Sequence, residues 1–323
     1  GRAFSPVPLP LPAHASIMTG TYPHVAGVRN NGRRLPKGRP VLAEILKARG
    51  YRTGAFVGAF PLDSRFGIDR GFDLYDDRYG SRNASRDLTF VERPADEVNA
   101  AALAWIGEKS GLPFFAWVHY FDPHAPYEPP PPYASAYRGR EYDGEIAYAD
   151  AALGRLLAGL EKAGVLRDTL VVLTADHGES LGEHGESTHG IFVYDSTLRV
   201  PMIFAHRDLV RAGRTVQDPA DLIDVAPTIL ALLGVRPPPG TQGRSLKPFL
   251  EASGGDAPRD LRNRETYFES QAGWLDRRWA PLTGIRSGSW KYIEAPRAEL
   301  YDLEADPGEM RNVIVSFPAE AKR

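Results

Sequence analysis

The chain of 323 residues is 42% hydrophobic and 25% charged, with a formal net charge of -2 and no cysteine. That composition supports one large core with a smaller appendage, and it excludes disulfides, thiolate metal sites and a cysteine nucleophile. The charge offers no general field for nucleic acid or an anionic membrane, so neither is an expected partner, and the missing cysteine leaves the compartment open.

The amino-terminal stretch GRAFSPVPLPLP lacks the basic and then apolar pattern of a secretion signal. From Pro40 the pattern alternates helix and strand. Pro40 suits a first helical position, Val41 to Arg49 an amphipathic helix, Gly50 its cap, and Tyr51 to Phe60 a strand and its exit. Ala95 to Glu108 predicts a helix and Pro113 to His119 an apolar strand, whereas Tyr127 to Tyr133, YEPPPPY, predicts a rigid extended loop. Ile146 to Ala163 carries Leu153, Leu156, Leu157 and Leu160 on one side of a long helix. Leu170 to Leu173 reads as a strand covered on both faces, and Val200 to Ala205 as a further short strand. Leu222 to Val235, interrupted by Asp224 and Pro227, reads as a buried helix rather than a membrane span.

The stretch Leu250 to Arg264 reads as a solvated connector. Beyond it, Glu265 to Glu269, Leu282 to Ile285, Trp290 to Ile293 and Glu299 to Leu303 predict a small antiparallel sheet. The whole is an α/β chain whose βα alternation predicts a mostly parallel sheet between helices. Its expected division is 1–260 and 261–323.

The chemistry concentrates where the strand at Leu170 ends in Asp176 and His177. A carboxylate beside an imidazole, in the loop leaving a strand's carboxyl end, can reach one divalent cation. The same two residues also read as a helix-capping acid and a solvated histidine, and the local sequence does not separate these readings.

Pro12 to Gly27, PAHASIMTGTYPHVAG, resembles the signature of the sulfatase branch of the alkaline phosphatase superfamily, in its variant with His in place of the usual Arg. Five later blocks follow in the family's order: HYFDPHAPY from His119, Thr174 to Gly178, Ser187 to Pro201, Asp221 to Gly234 with Gly243 to Leu250, and LYDLEADPGE from Leu300. The resemblance implies an alkaline-phosphatase-like three-layer α/β/α sandwich. It also implies a small sulfate- or phosphate-ester substrate, one divalent ion (Ca, Mn or Zn) and a periplasmic or extracellular setting. By position it makes Asp176 and His177 metal ligands, turns His124 and His189 toward the transferred group, and sets His14 beside the attacking residue.

An Asp-Asn pair is usual in calcium sulfatases, and Asp-His occurs in relatives that use transition metals on phosphate or phosphonate esters. Against the family pattern, Pro10 stands at the nucleophile's position with no hydroxyl, thiol or ionisable group. Ser5 lies too far upstream to replace it and Ser16 falls on the following helix. The family's other two metal acids come from a strand ahead of this motif, so the chain is expected to begin inside the domain or to lack half the metal site. Three readings result: a sulfatase, a phosphodiesterase or phosphonate monoester hydrolase of the same superfamily, and a non-catalytic binder of sulfated or phosphorylated ligands.

Among the remaining candidates, His24 is expected to pack or cap, His119 to bond at a strand end, and Asp122 to act as a turn former or a ligand's partner. Arg199 is expected to be structural, Tyr120 and Phe121 to be core, and His184 and Glu186 to be solvated loop residues or, alternatively, supports behind the metal ligands.

Overall fold

The computed structural model describes residues 2–79, 93–108, 110–251 and 264–322. The regular elements run β1 (Arg2–Phe4), α1 (Pro10–Thr19), α2 (Pro23–Ala26), α3 (Leu42–Lys47), β2 (Arg52–Phe56), β3 (Leu74–Asp76), α4 (Ala95–Ile106), β4 (Phe114–Val118), α5 (Tyr133–Ala136) and α6 (Glu141–Lys162). They continue through β5 (Val171–Thr174), α7 (Asp195–Leu198), β6 (Arg199–Val200), β7 (Met202–Ala205), β8 (Pro219–Asp221), α8 (Val225–Leu232) and α9 (Lys247–Leu250). The last are β9 (Thr266–Ser270), α10 (Ala272–Arg277), β10 (Leu282–Ser287), β11 (Trp290–Glu294), β12 (Glu299–Asp302) and α11 (Pro318–Lys322). Two compact units result: Pro40–Thr169 forms one, and Gly1–Arg39 with Leu170–Arg323 the other. The expected boundary at 260 lies outside the described residues.

In the continuous unit, β2 pairs in parallel with both β3 and β4. Phe56, Val98, Ala102 and Trp105 pack α4 on this sheet. Gly54 is required there, since a Cβ would sit 3.0 Å from the Trp105 ring. Helix α3 begins at Leu42, not Pro40: Val41 is extended at φ -103 and ψ 157, and its N–H is capped by the Glu44 carboxylate at 3.0 Å. Helix α6 starts at Glu141, five residues before the apolar pattern does. Glu141 and Asp143 in its first turn favour the positive end of the helix dipole. The proline loop is irregular as predicted up to Pro132, but Tyr133 already opens α5.

In the discontinuous unit, β1 lies between β8, in parallel, and β6, antiparallel. Helix α1 is buried on every side. Its prolines are accommodated in the first turn, where backbone N–H groups have no helical acceptor, and Asn31 Oδ1 caps the Leu11 N–H at 3.0 Å. The predicted strand Val200–Ala205 is split at Pro201, which cannot donate a ladder hydrogen bond. The predicted late helix begins as a 3-10 turn over Leu222–Asp224, capped by Asp221, before α8. The four carboxyl-terminal strands form the expected antiparallel sheet, in the order β12-β11-β10-β9. Among the described residues, no helix is long and apolar enough to cross a membrane.

Strand β5 departs from expectation. It pairs antiparallel with β7, Val172 opposite Phe204, and its residues are half-buried rather than enclosed. With β7 as the neighbour in a two-stranded pairing, one edge of β5 has no ladder partner among the described residues.

Candidate metal and ester site

Beyond Thr174 the chain turns into Asp176 and His177, then doubles back. Ser180 N–H donates to Thr188 O and Gly182 N–H to Glu186 O, each at 2.9 Å. Positive φ at Gly182, His184 and Gly185 makes the reversal. The returning segment brings His189 beside the start of the loop. The His177 and His189 rings are 4.0 Å apart at 34°, and His189 Nδ1 lies 3.0 Å from Glu179 Oε2. Helix α1 supplies the third imidazole, with His14 Nε2 3.6 Å from Asp176 Oδ2.

Tautomers follow from these contacts. His177 Nδ1 meets the Gly178 carbonyl at 2.8 Å. A carbonyl only accepts, so Nδ1 carries the proton and Nε2 presents a lone pair. That Nε2 is 3.5 Å from Asp176 Oδ2, so two electron-rich atoms face each other. This is close to the spacing of adjacent donors on one ion, since ligands about 2.1 Å from a metal lie roughly 3 to 3.5 Å apart. Ligand atoms of His177, Glu179 and His189 also fall within 4.8 Å of one another.

Burial pushes the pKa of His14 down to about 4, against the pull of Asp176 and with a further push from His177. His177 and His189 are lowered as well, again chiefly by burial. Neutral imidazoles with two carboxylates are the protonation states a divalent cation requires of its ligands, so these residues fit one.

Sequence reasoning placed Asp176, His177, His189 and His14, and all four gather here. It missed Glu179, an acid in a glycine- and serine-containing loop with no local sign of burial. Glu186 was expected to be solvated. It is 8% exposed instead, and its carboxylate accepts the Ile191 and Phe192 N–H groups at 2.8 and 3.0 Å, holding the turn after His189. His184 stacks on Tyr194 with ring centroids 3.6 Å apart and reaches Gly308 O. Pro10 is the first residue of α1 and Ser16 is buried within that helix. Ser5 Oγ donates to Val7 O. His24 packs, as expected, between Tyr22 and Tyr267. Arg199 is exposed and pairs through its backbone with Phe4.

His124 belongs to the continuous unit. Its ring lies 4.0 Å over Phe121, and its Nδ1 donates to Ala125 O at 2.6 Å, leaving Nε2 as the working atom. Glu145 of α6, 4% exposed, fixes the loop by accepting the N–H groups of His124 and Glu128 at 2.9 and 2.7 Å. Burial raises the Asp122 carboxyl to about 6. His119 follows β4 and accepts the Gly58 N–H. Tyr120 bonds Asn99, and Phe121 is buried.

The profile of the family described as Sulfatase matches residues 2–235, and that described as N-sulphoglucosamine sulphohydrolase, C-terminal, matches 182–321. The chain is 38% identical over 181 residues to an N-acetylglucosamine-6-O-sulfatase of Bacteroides thetaiotaomicron, a match covering 54% of this chain and 32% of that relative. It therefore spans about a third of that relative's length. A solved protein in complex with its substrate D-glucosamine-2-N,6-O-disulfate superimposes with a TM-score of 0.84 at 22% identity, covering 99% of this chain and 87% of that one. A phosphonate monoester hydrolase from Silicibacter pomeroyi gives 0.81 at 23%, covering 100% and 85%. These likenesses establish the alkaline-phosphatase-like α/β fold.

Proposed function

As the chain belongs to the sulfatase family, we propose that it is a metal-dependent hydrolase of small sulfate monoesters. The observation that carries this reading is the convergence of His14, Asp176, His177, Glu179 and His189 on one loop. Asp176 and His177 hold the ion, whose positive charge, when bound, neutralises the ester oxygens as the bond to the alcohol breaks. Glu179 holds the Nδ1 proton of His189 and so fixes which nitrogen of that ring faces the transferred group. By family position His124 is the candidate for protonating the leaving alcohol; with Nδ1 committed to Ala125 O, that role needs the imidazolium form, whose second proton sits at Nε2. His14, kept neutral by burial, stands with Nε2 3.6 Å from Asp176 Oδ2. By family the setting is periplasmic or extracellular.

Pro10 presents no attacking atom, so turnover by this chain is expected to be weak. Pro10→Thr, at a first helical position that tolerates most residues, is expected to raise it. The test is an assay of wild type and Pro10→Thr on an aryl sulfate and an aryl phosphonate ester, with Mn2+ present. Turnover of neither ester by either protein, with metal bound, overturns the hydrolase reading. It favours instead a binder of sulfated ligands, the reading that Pro10 supports. A phosphonate monoesterase or phosphodiesterase is the second enzymatic reading, supported by the imidazole donor His177. A clear phosphonate preference in the same assay replaces the sulfatase assignment with it.

A further inference from the structure

Behind the histidine loop lies a buried ion network that the proposed chemistry does not use. Arg286 of β10 and Lys291 of β11 are 2% and 0% exposed. Both donate to Asp195 Oδ1, Lys291 at 2.8 Å, and Lys291 Nζ lies 2.6 Å from Glu309 Oε1. The second oxygen of Glu309 accepts the Asp195 backbone N–H at 2.5 Å. Removing four charges from water costs several kcal/mol per ion, so such a network is weak evidence for stability. What it does provide here is one fixed place for Asp195.

Asp195 opens α7, and α7 is the backing of the metal loop. Thr197 O accepts the Gly178 N–H at 2.8 Å, and a Cβ on Gly178 would fall 2.2 Å from Ser196 O. Gly178 directly follows His177. On the returning segment, Ser270 Oγ at the end of β9 donates to Gly190 O at 2.8 Å, one residue beyond His189. The carboxyl-terminal sheet thus grips the loop next to both His177 and His189.

We propose that Glu309, acting with Lys291 through Asp195 and α7, is a positioning residue for His177, and that Ser270 is one for His189. The carboxyl-terminal segment is then part of the metal site's construction, a role that rests on the metal-site reading above.

The test is Glu309→Gln in the full chain, with amide exchange at Gly178 and Ser180 as one readout and Mn2+ affinity by calorimetry as the other. Faster exchange at these two amides is expected, with β10 and β11 amides unchanged, together with Mn2+ binding weakened about tenfold. Gly178→Ala breaks the same contact from the loop side without touching the ion network, and should reproduce the pattern. Unchanged exchange at Gly178 and Ser180 in Glu309→Gln overturns the proposal, as does loss confined to global unfolding. Wild type that binds no Mn2+ overturns the metal reading alone, since exchange still decides the bracing.

Discussion

Asp221 is a buried carboxyl whose Oδ2 has no hydrogen-bond partner among the described residues. Burial raises its pKa from 3.8 to about 7, with Arg264 opposing and Asp224 adding to the rise. The folded state therefore binds one more proton than the unfolded chain between these values. The associated stability is fully present below pH 3.8 and is lost as the pH rises through 7. At about 1.4 kcal/mol per unit, the effect is up to about 4 kcal/mol. Asp221→Asn keeps an oxygen for the Ile223 N–H and removes the titration. Urea unfolding should show it gaining stability relative to wild type between pH 4.5 and pH 8; a constant difference would refute the assignment. At the metal loop, Glu179→Gln leaves an acceptor for His189 but removes a charge, so Mn2+ affinity should fall about 10- to 100-fold by calorimetry.

Among elements, the carboxyl-terminal sheet is the one most exposed to a single substitution. Gly284 of β10 lies under Phe268, and a Cβ there would be 2.3 Å from Tyr292 O and 2.5 Å from the Phe268 ring. Neither the ladder nor the buried ring can give way, so Gly284→Ala should cost about 3 kcal/mol in denaturant unfolding. A loss within 0.5 kcal/mol, on the order of a surface change, would mean that the sheet can shift. This sheet was legible because its strands alternate and are punctuated by turns such as Gly288. Strands β1, β3 and β8 were not: each has three residues, and β1 finds its parallel partner β8 in a distant part of the sequence. Short strands carry too little apolar pattern to register, and what fixes them is pairing across sequence distance. The front of α6 escaped for a different reason, since its acidic first turn follows helix-dipole electrostatics rather than apolar periodicity.

For the molecule as a whole, the site was legible where it is local and silent where it is folded together. Asp176 and His177 adjoin the end of a recognisable strand, whereas Glu179 and Glu186 acquire their roles only when the loop reverses and returns His189 and Ile191 to them. The pair Asp176 and His177 also bears on which ion the proposed site would take. Calcium takes 6 to 8 oxygen ligands, whereas one of the two proposed ligands here is the Nε2 nitrogen of His177 beside the Asp176 carboxylate. Imidazole favours zinc and its transition-metal neighbours, with affinity rising from manganese to zinc. Chelator-stripped protein titrated in a calorimeter should therefore bind Zn2+ most tightly, Mn2+ less tightly and Ca2+ most weakly. His177→Asn exchanges a nitrogen donor for an amide oxygen, and it should narrow the preference for Zn2+ over Ca2+ by about tenfold, the scale on which ligand-environment changes alter metal affinity. Calcium as the tightest ion in wild type would show that the His177 imidazole does not hold the metal, and would leave carboxylates as its ligands.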